Sequence, residues 1–238
     1  MISTKRIEII LLVMIILIAI FFRFYKIRDY VVFLGDEGRD MIVMRNMIQQ
    51  KRPTFLGPTA SVGGFYLGPI YYWMAAPFLL ISRFDPVGPA YLVAAIGVAT
   101  VALLYKLLKV TLGFWPAILA SSLYATAPLI VRYSRSSWNP NPLPFFALLL
   151  VYFLYLGIKN LKDKSHIKNY MYFLGAGAAF GICVQLHYLA TILFAIAAAF
   201  VVINLNWRKL LFVFFVSAVG FLITFSPFLL FEIKNSFP

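Results

Sequence analysis

Residues 9–22 read IILLVMIILIAIFF, with Lys5 and Arg6 ahead of them and Arg23, Phe24, Tyr25 and Lys26 behind. Basic residues before an apolar run have the outline of a signal peptide, but no small-residue cleavage site follows. Aromatic and basic residues come instead, as at the interfacial end of a membrane helix. The stretch reads as an uncleaved first span.

Outward from it, apolar segments recur near 66–82, 88–105, 112–131, 143–158, 170–187, 189–205 and 210–231. Of 238 residues, 63% are hydrophobic and only 12% charged, more apolar surface than a soluble core can hide. The fold class expected is an all-α integral membrane protein. The net charge of +13 does not point to nucleic acid, because Lys and Arg lie in short clusters between apolar segments and form no continuous basic face. Cys183 is the single cysteine, so no intrachain disulfide is possible.

Charge decides how many of the eight segments cross. The loops holding Lys106 and Lys109, then Lys159, Lys162, Lys164 and Lys168, then Arg208 and Lys209, carry eight positive charges; the alternating loops carry three, Arg132, Arg135 and Lys234. The positive-inside rule places the first set in the cytoplasm with the N-terminus. Parity then allows only one of 66–82 and 88–105 to cross. Segment 66–82 contains Pro69, Pro77 and the aromatic cluster Tyr71, Tyr72 and Trp73, so it is the one expected to lie at the outer surface. Seven transmembrane helices follow; the alternative is eight plain spans.

Residues 28–87 then form one long external loop, holding Asp29, Asp36, Glu37, Asp40 and Asp85 among the chain's eight acidic residues. Within it, Met41, Met44 and Ile48 recur at helical spacing over 38–50, as in an amphipathic surface helix. Three polar constellations face the same side. Asp36 and Glu37 beside Arg39 suit a general base or a metal site, although Asp36 is also a good helix N-cap. Arg135 suits an anionic head group, or simple anchoring beside Trp138. His187, at the end of a span whose Gly177 and Gly181 form a small-residue packing pair, suits substrate contact or a structural hydrogen bond. No P-loop, zinc spacing or Ser–His–Asp arrangement can be assembled. Between Val87 and Leu230 the only acidic residue is Asp163, which disfavours an ion-coupled transporter with midplane carboxylates.

Asp36 and Glu37, the amphipathic helix, the stretch 68–73 (GPIYYW) and Arg135 before a further span together resemble the N-terminal half of GT-C glycosyltransferases. The resemblance is to the dolichyl-phosphate-mannose protein mannosyltransferase and lipid A aminoarabinose transferase group (glycosyltransferase family 39-like). It implies one module over 1–238, a multi-pass protein of the cell membrane with its site on the external face. It also implies a polyprenyl-phosphate sugar donor and a protein or lipid acceptor, with membrane lipids as surroundings and no nucleic-acid partner. Asp36 would be the base, Glu37 would orient the acceptor or tune that base, and Arg135 would be the cation for the leaving phosphate, with Arg39 and His187 as further substrate contacts. The rival reading is a transporter or non-catalytic subunit handling lipid-linked sugars. Two departures stand out. Members often carry an acidic residue after an arginine in the second external loop, but 136–142 (SSWNPNP) has none, which leaves a divalent metal possible but unsupported. Asn139 or Asn141 would offer hydrogen bonds only. The chain is also short for the group, as if a C-terminal part were lacking.

Overall fold

The computed structural model describes residues 4–60, 63–163 and 167–235; Lys164 of the basic loop lies outside them. Among the described residues every regular element is helical, beyond one isolated bridge between Thr59 and Tyr66. Among the described residues, four helices are long and apolar enough to cross a membrane: Lys5–Phe24, Val87–Thr111, Leu143–Leu161 and Trp207–Lys234. The exposed faces of the first and last carry Ile9, Val13, Leu17 and Phe21, and Leu211, Phe215 and Leu222. Apolar residues turned outward suit lipid as the solvent.

The chain gathers into two compact units, Met1–Arg52 with Met74–Phe145, and Pro53–Trp73 with Phe146–Pro238. The first holds α1 (Thr4–Phe24), α2 (Ile27–Tyr30), α3 (Gly35–Gln49), α5 (Val87–Thr111), α6 (Phe114–Thr126) and α7 (Pro128–Tyr133). Helices α1, α5 and α6 pack through Ile15, Ala19, Val101, Tyr105, Ala117, Ile118 and Ala125. At the end holding Lys109, Tyr105 Oη donates to Glu8 Oε1 at 2.7 Å, and Lys109 pairs with the same carboxylate. In α3, Met41 and Met44 share one face, as their spacing predicts, but that face is buried inside the protein rather than open to a membrane surface.

The second unit holds most of α8 (Leu143–Asp163), then α9 (Ile167–Leu186), a 3-10 turn (Tyr188–Thr191), α10 (Ile192–Asn204) and α11 (Trp207–Lys234). Leu150, Leu154, Phe173, Ala176, Val201 and Val213 share its core. The glycine pair does what its spacing predicts. A Cβ on Gly177 would stand 1.8 Å from Ser217 O, and one on Gly181 would stand 2.2 Å from Thr224 Oγ1; across the contact, one on Gly220 would stand 2.0 Å from Leu174 O, so α9 and α11 cross backbone to backbone. Loop 53–68 folds back through Gly57 N–H to Leu67 O and Leu67 N–H to Pro58 O, each at 2.8 Å.

Helix α4 (Ile70–Ile81) has 12 residues, about 18 Å of rise against about 30 Å of hydrocarbon. Its Tyr71 and Tyr72 are fully buried, so they are packing residues rather than the interfacial anchors the sequence suggests. The segment 112–131 is not one helix. It breaks at Ala127, φ −57° and ψ 120°, because Pro128 has no N–H and pushes its predecessor out of the helical region.

Candidate functional site

The site in the first unit is built where α3 begins. Val31 is extended after α2, and Leu34 is the N-cap of α3, with φ −116° and ψ −168°. Leucine has no acceptor, so Glu37 supplies one: its Oε2 takes the Leu34 N–H at 3.0 Å. Capping therefore falls to Glu37, not Asp36 as the alternative reading had it. The other oxygen, Oε1, accepts from Ser136 Oγ at 3.1 Å. Buried to 4% exposure, Glu37 has both oxygens engaged, which makes it a fixed strut between α3 and the loop after α7.

Arg39 sits between two carboxylates. Its Nη1 donates to Asp36 Oδ1 at 3.0 Å, and its Nη2 and Nε donate to Asp40 Oδ1 at 2.9 and 3.0 Å. Asp40 is buried, whereas the Asp36 side chain is 46% exposed. Asp85 is occupied elsewhere: its Oδ1 takes the Val87 N–H at 3.0 Å at the head of α5, and its Oδ2 pairs with Arg28 at 2.7 Å. The Val87 N–H, aided by Arg28, holds the Asp85 carboxyl below the usual range.

A cavity of about 250 Å³ opens beside Asp36 and Glu37, with Arg132, Tyr133, Ser136 and Trp138 on its wall. Of the four carboxylates Asp36, Glu37, Asp40 and Asp85, only Asp36 and Glu37 line it, and Glu37 is spent on its two hydrogen bonds. Asp36 is the carboxylate available to a substrate there. The arginine on the wall is Arg132, in the last turn of α7. Arg135 instead donates through Nη2 to Tyr25 O at 3.2 Å, with its guanidinium 4.8 Å over the Tyr30 ring. Asn141 Nδ2 is committed to Ser136 O at 3.0 Å, so it serves the loop.

This donor set does not fit a divalent cation. Both Glu37 oxygens face N–H and O–H donors, and the Arg39 guanidinium lies between Asp36 and Asp40. Among the described residues no group of three His, Cys, Asp or Glu side chains is placed to hold a metal.

His187 belongs to the second unit. It caps the 3-10 turn, its Nδ1 accepting the Leu189 N–H at 3.2 Å, and its ring stacks on Tyr188 at 4.9 Å. Gln185, in the same stretch, is the residue to which the sequence assigns no role. Fully buried, it donates to Thr224 O at 2.8 Å in α11, near Pro227, and it packs so close to Gly68 that a Cβ there would lie 2.3 Å from its Cγ.

Comparison with known proteins bears on the fold and the family. The crystal structure of ArnT from Cupriavidus metallidurans bound to undecaprenyl phosphate superposes with a TM-score of 0.61 at 15% identity. The match covers 98% of this chain and 42% of that one, so the chain spans less than half the length of that relative. At this identity the likeness speaks for the fold. No curated protein matches the chain. The family profile for dolichyl-phosphate-mannose-protein mannosyltransferases matches residues 67–231. That span contains Arg132 and Ser136 and starts after Asp36. Covering more than half of the chain, it makes this protein a member of the dolichyl-phosphate-mannose-protein mannosyltransferase family, within the GT-C glycosyltransferases.

Proposed function

We propose that the chain carries the site of a membrane glycosyltransferase that moves a sugar from a polyprenyl-phosphate donor to an acceptor hydroxyl on the external face. The observation that carries this reading is the pairing, in one cavity, of an accessible carboxylate, Asp36, with an accessible guanidinium, Arg132. Transfer from a sugar phosphate needs both. Asp36 takes the proton of the acceptor hydroxyl as its oxygen attacks the anomeric carbon. The bond from that carbon to the phosphate oxygen breaks, and the phosphate leaves with the electron pair. Arg132, on the wall of the same cavity, is the cation proposed for that charge and suits a phosphate by its forked donors.

Arg39 holds the Asp36 carboxylate in place through its Nη1 hydrogen bond, and Glu37 fixes the start of α3 against the Ser136 loop. Arg135 supports the site from behind through Tyr25 and Tyr30, while His187 shapes the loop of the other unit. A polyprenyl phosphate as donor is supported by family membership and by the ligand of the ArnT structure. The external face follows from seven crossings, with α4 at the surface.

Membranes containing the full chain should transfer radiolabelled sugar from a polyprenyl-phosphate donor to an endogenous acceptor. Absence of transfer across mannosyl, glucosyl and aminoarabinosyl donors would contradict the proposal and favour a carrier or subunit role.

A further inference from the structure

Arg23, in the last turn of α1, is fully buried. A guanidinium out of water is costly unless its donors are met. Among the described residues no carboxylate meets it, and its hydrogen bonds go to backbone carbonyls. Nη1 donates to Ala125 O at 3.0 Å and to Ala19 O at 3.4 Å, and Nη2 donates to Tyr124 O at 3.2 Å. The Tyr124 ring adds a face 6.0 Å from the guanidinium carbon.

The identity of those carbonyls is the informative point. In a continuous helix Tyr124 O would accept from residue 128, and Ala125 O from residue 129. Residue 128 is Pro128, which has no N–H, and the chain turns out of α6 at Ala127. The Ala127 N–H still reaches Leu123 O at 2.8 Å, and the next helix resumes with the Val131 N–H on Ala127 O at 2.9 Å. The break therefore takes the helical donors from three successive carbonyls, those of Tyr124, Ala125 and Thr126, and the Arg23 fork receives the first two. Unmet, each would carry a desolvation cost. Room for the fork comes from α5: a Cβ on Gly97 would stand 2.8 Å from Arg23 Nε and 2.9 Å from Ser134 Oγ.

The same break sends off α7, whose last turn carries Arg132 and whose following loop carries Ser136. We infer that Arg23 is a positioning residue: by replacing two of the helical donors lost at the Pro128 break it fixes the direction of α7, and so the place of Arg132 in the cavity. The consequence for Arg132 rests on the phosphate-binding role proposed above; the capping of the break does not.

Two thermodynamic cycles on the full chain in detergent test this. The first measures binding of undecaprenyl phosphate to wild type, Arg23→Met, Arg132→Met and the double variant. Arg23→Met should weaken binding about tenfold, the effect of losing one hydrogen bond to a charged group. In the Arg132→Met background it should change binding less than about twofold, because two changes acting through one contact do not add. Losses that multiply independently would overturn the positioning role.

The second cycle reads thermal unfolding and needs no ligand. Pro128→Ala restores a donor for Tyr124 O, so Arg23→Met should lower the midpoint less in that background than in wild type. Equal losses would overturn the inference. Should wild type bind no polyprenyl phosphate, the proposed function fails, and the unfolding cycle still decides what Arg23 does. If Arg23→Met does not fold, Arg23→Lys carries both comparisons, its ammonium retaining part of the donor set.

Discussion

Ser136 Oγ donates a hydrogen bond to Glu37 Oε1 at 3.1 Å, joining residues 99 positions apart in the sequence, both of them buried. The contact holds the wall of the cavity that carries Arg132 against the helix that carries Asp36. Ser136→Ala would leave one buried oxygen of an acid without its donor. The expected cost is about 1–3 kcal/mol of stability, read as a lower thermal midpoint in detergent. A midpoint equal to wild type would remove the strut role from Glu37.

The two arginines of the second loop should separate in their effects. Arg132→Ala should weaken binding of undecaprenyl phosphate by about tenfold or more, since a charge-assisted pair is lost. Arg135→Ala should act mainly on stability, because its contacts are Tyr25 O and the Tyr30 ring. Titration of both variants with the lipid phosphate checks this; a larger binding loss for Arg135 would reverse the assignment.

How much of this was legible beforehand depended on the range of the interaction. The spans at α1, α5 and α11, the shared face of Met41 and Met44, and the close crossing at Gly177 are all written in local spacing. The Glu37 cap was not, because its partner is a leucine N-cap without the usual hydroxyl signature. Arg132 and Arg135, three residues apart, would share a helix face if the helix continued. It ends at Tyr133, and the two side chains part company there. Pro128 was visible in the sequence, but the donor that makes its break tolerable lies on α1, more than a hundred positions away.

Glycines of α9 and α3 offer a contrast in packing. Gly177→Ala would drive a methyl to 1.8 Å from Ser217 O, forcing α9 and α11 apart at a cost of about 1–3 kcal/mol or more. Gly35→Ala meets nothing within 4 Å and should be neutral or slightly stabilising at the head of α3. Thermal midpoints of the two variants check the ordering.

Asp85 carries a pH dependence with a definite sign. Its folded pKa is depressed by the Val87 N–H and Arg28, so its contribution to stability is present above the unfolded carboxylate pKa. That contribution is lost as pH falls through the lower folded value. Asp85→Asn, which cannot ionise, should show a shallower decline of the thermal midpoint on acidification. An unchanged slope would place the acid sensitivity elsewhere.

Topology turns on position 112. Leu112 is 65% exposed at the end of α5. With seven crossings, Leu112→Cys faces the cytoplasm and Ala60→Cys faces outward; eight crossings would put position 112 outside. In intact cells an impermeant thiol reagent should label position 60 and leave 112 unlabelled. Labelling of both would contradict the seven-span arrangement.

Asp36 is the proposed base for sugar transfer. Its most direct test is the initial rate of transfer from a radiolabelled polyprenyl-phosphate sugar at saturating donor, for wild type and Asp36→Asn, with donor binding measured on the same preparations. Asparagine keeps the shape and an acceptor for Arg39 but cannot take a proton. A rate lower by about 100-fold or more, with donor binding within a few-fold of wild type, is the predicted result. A rate that survives the substitution would contradict the account and move the base away from Asp36.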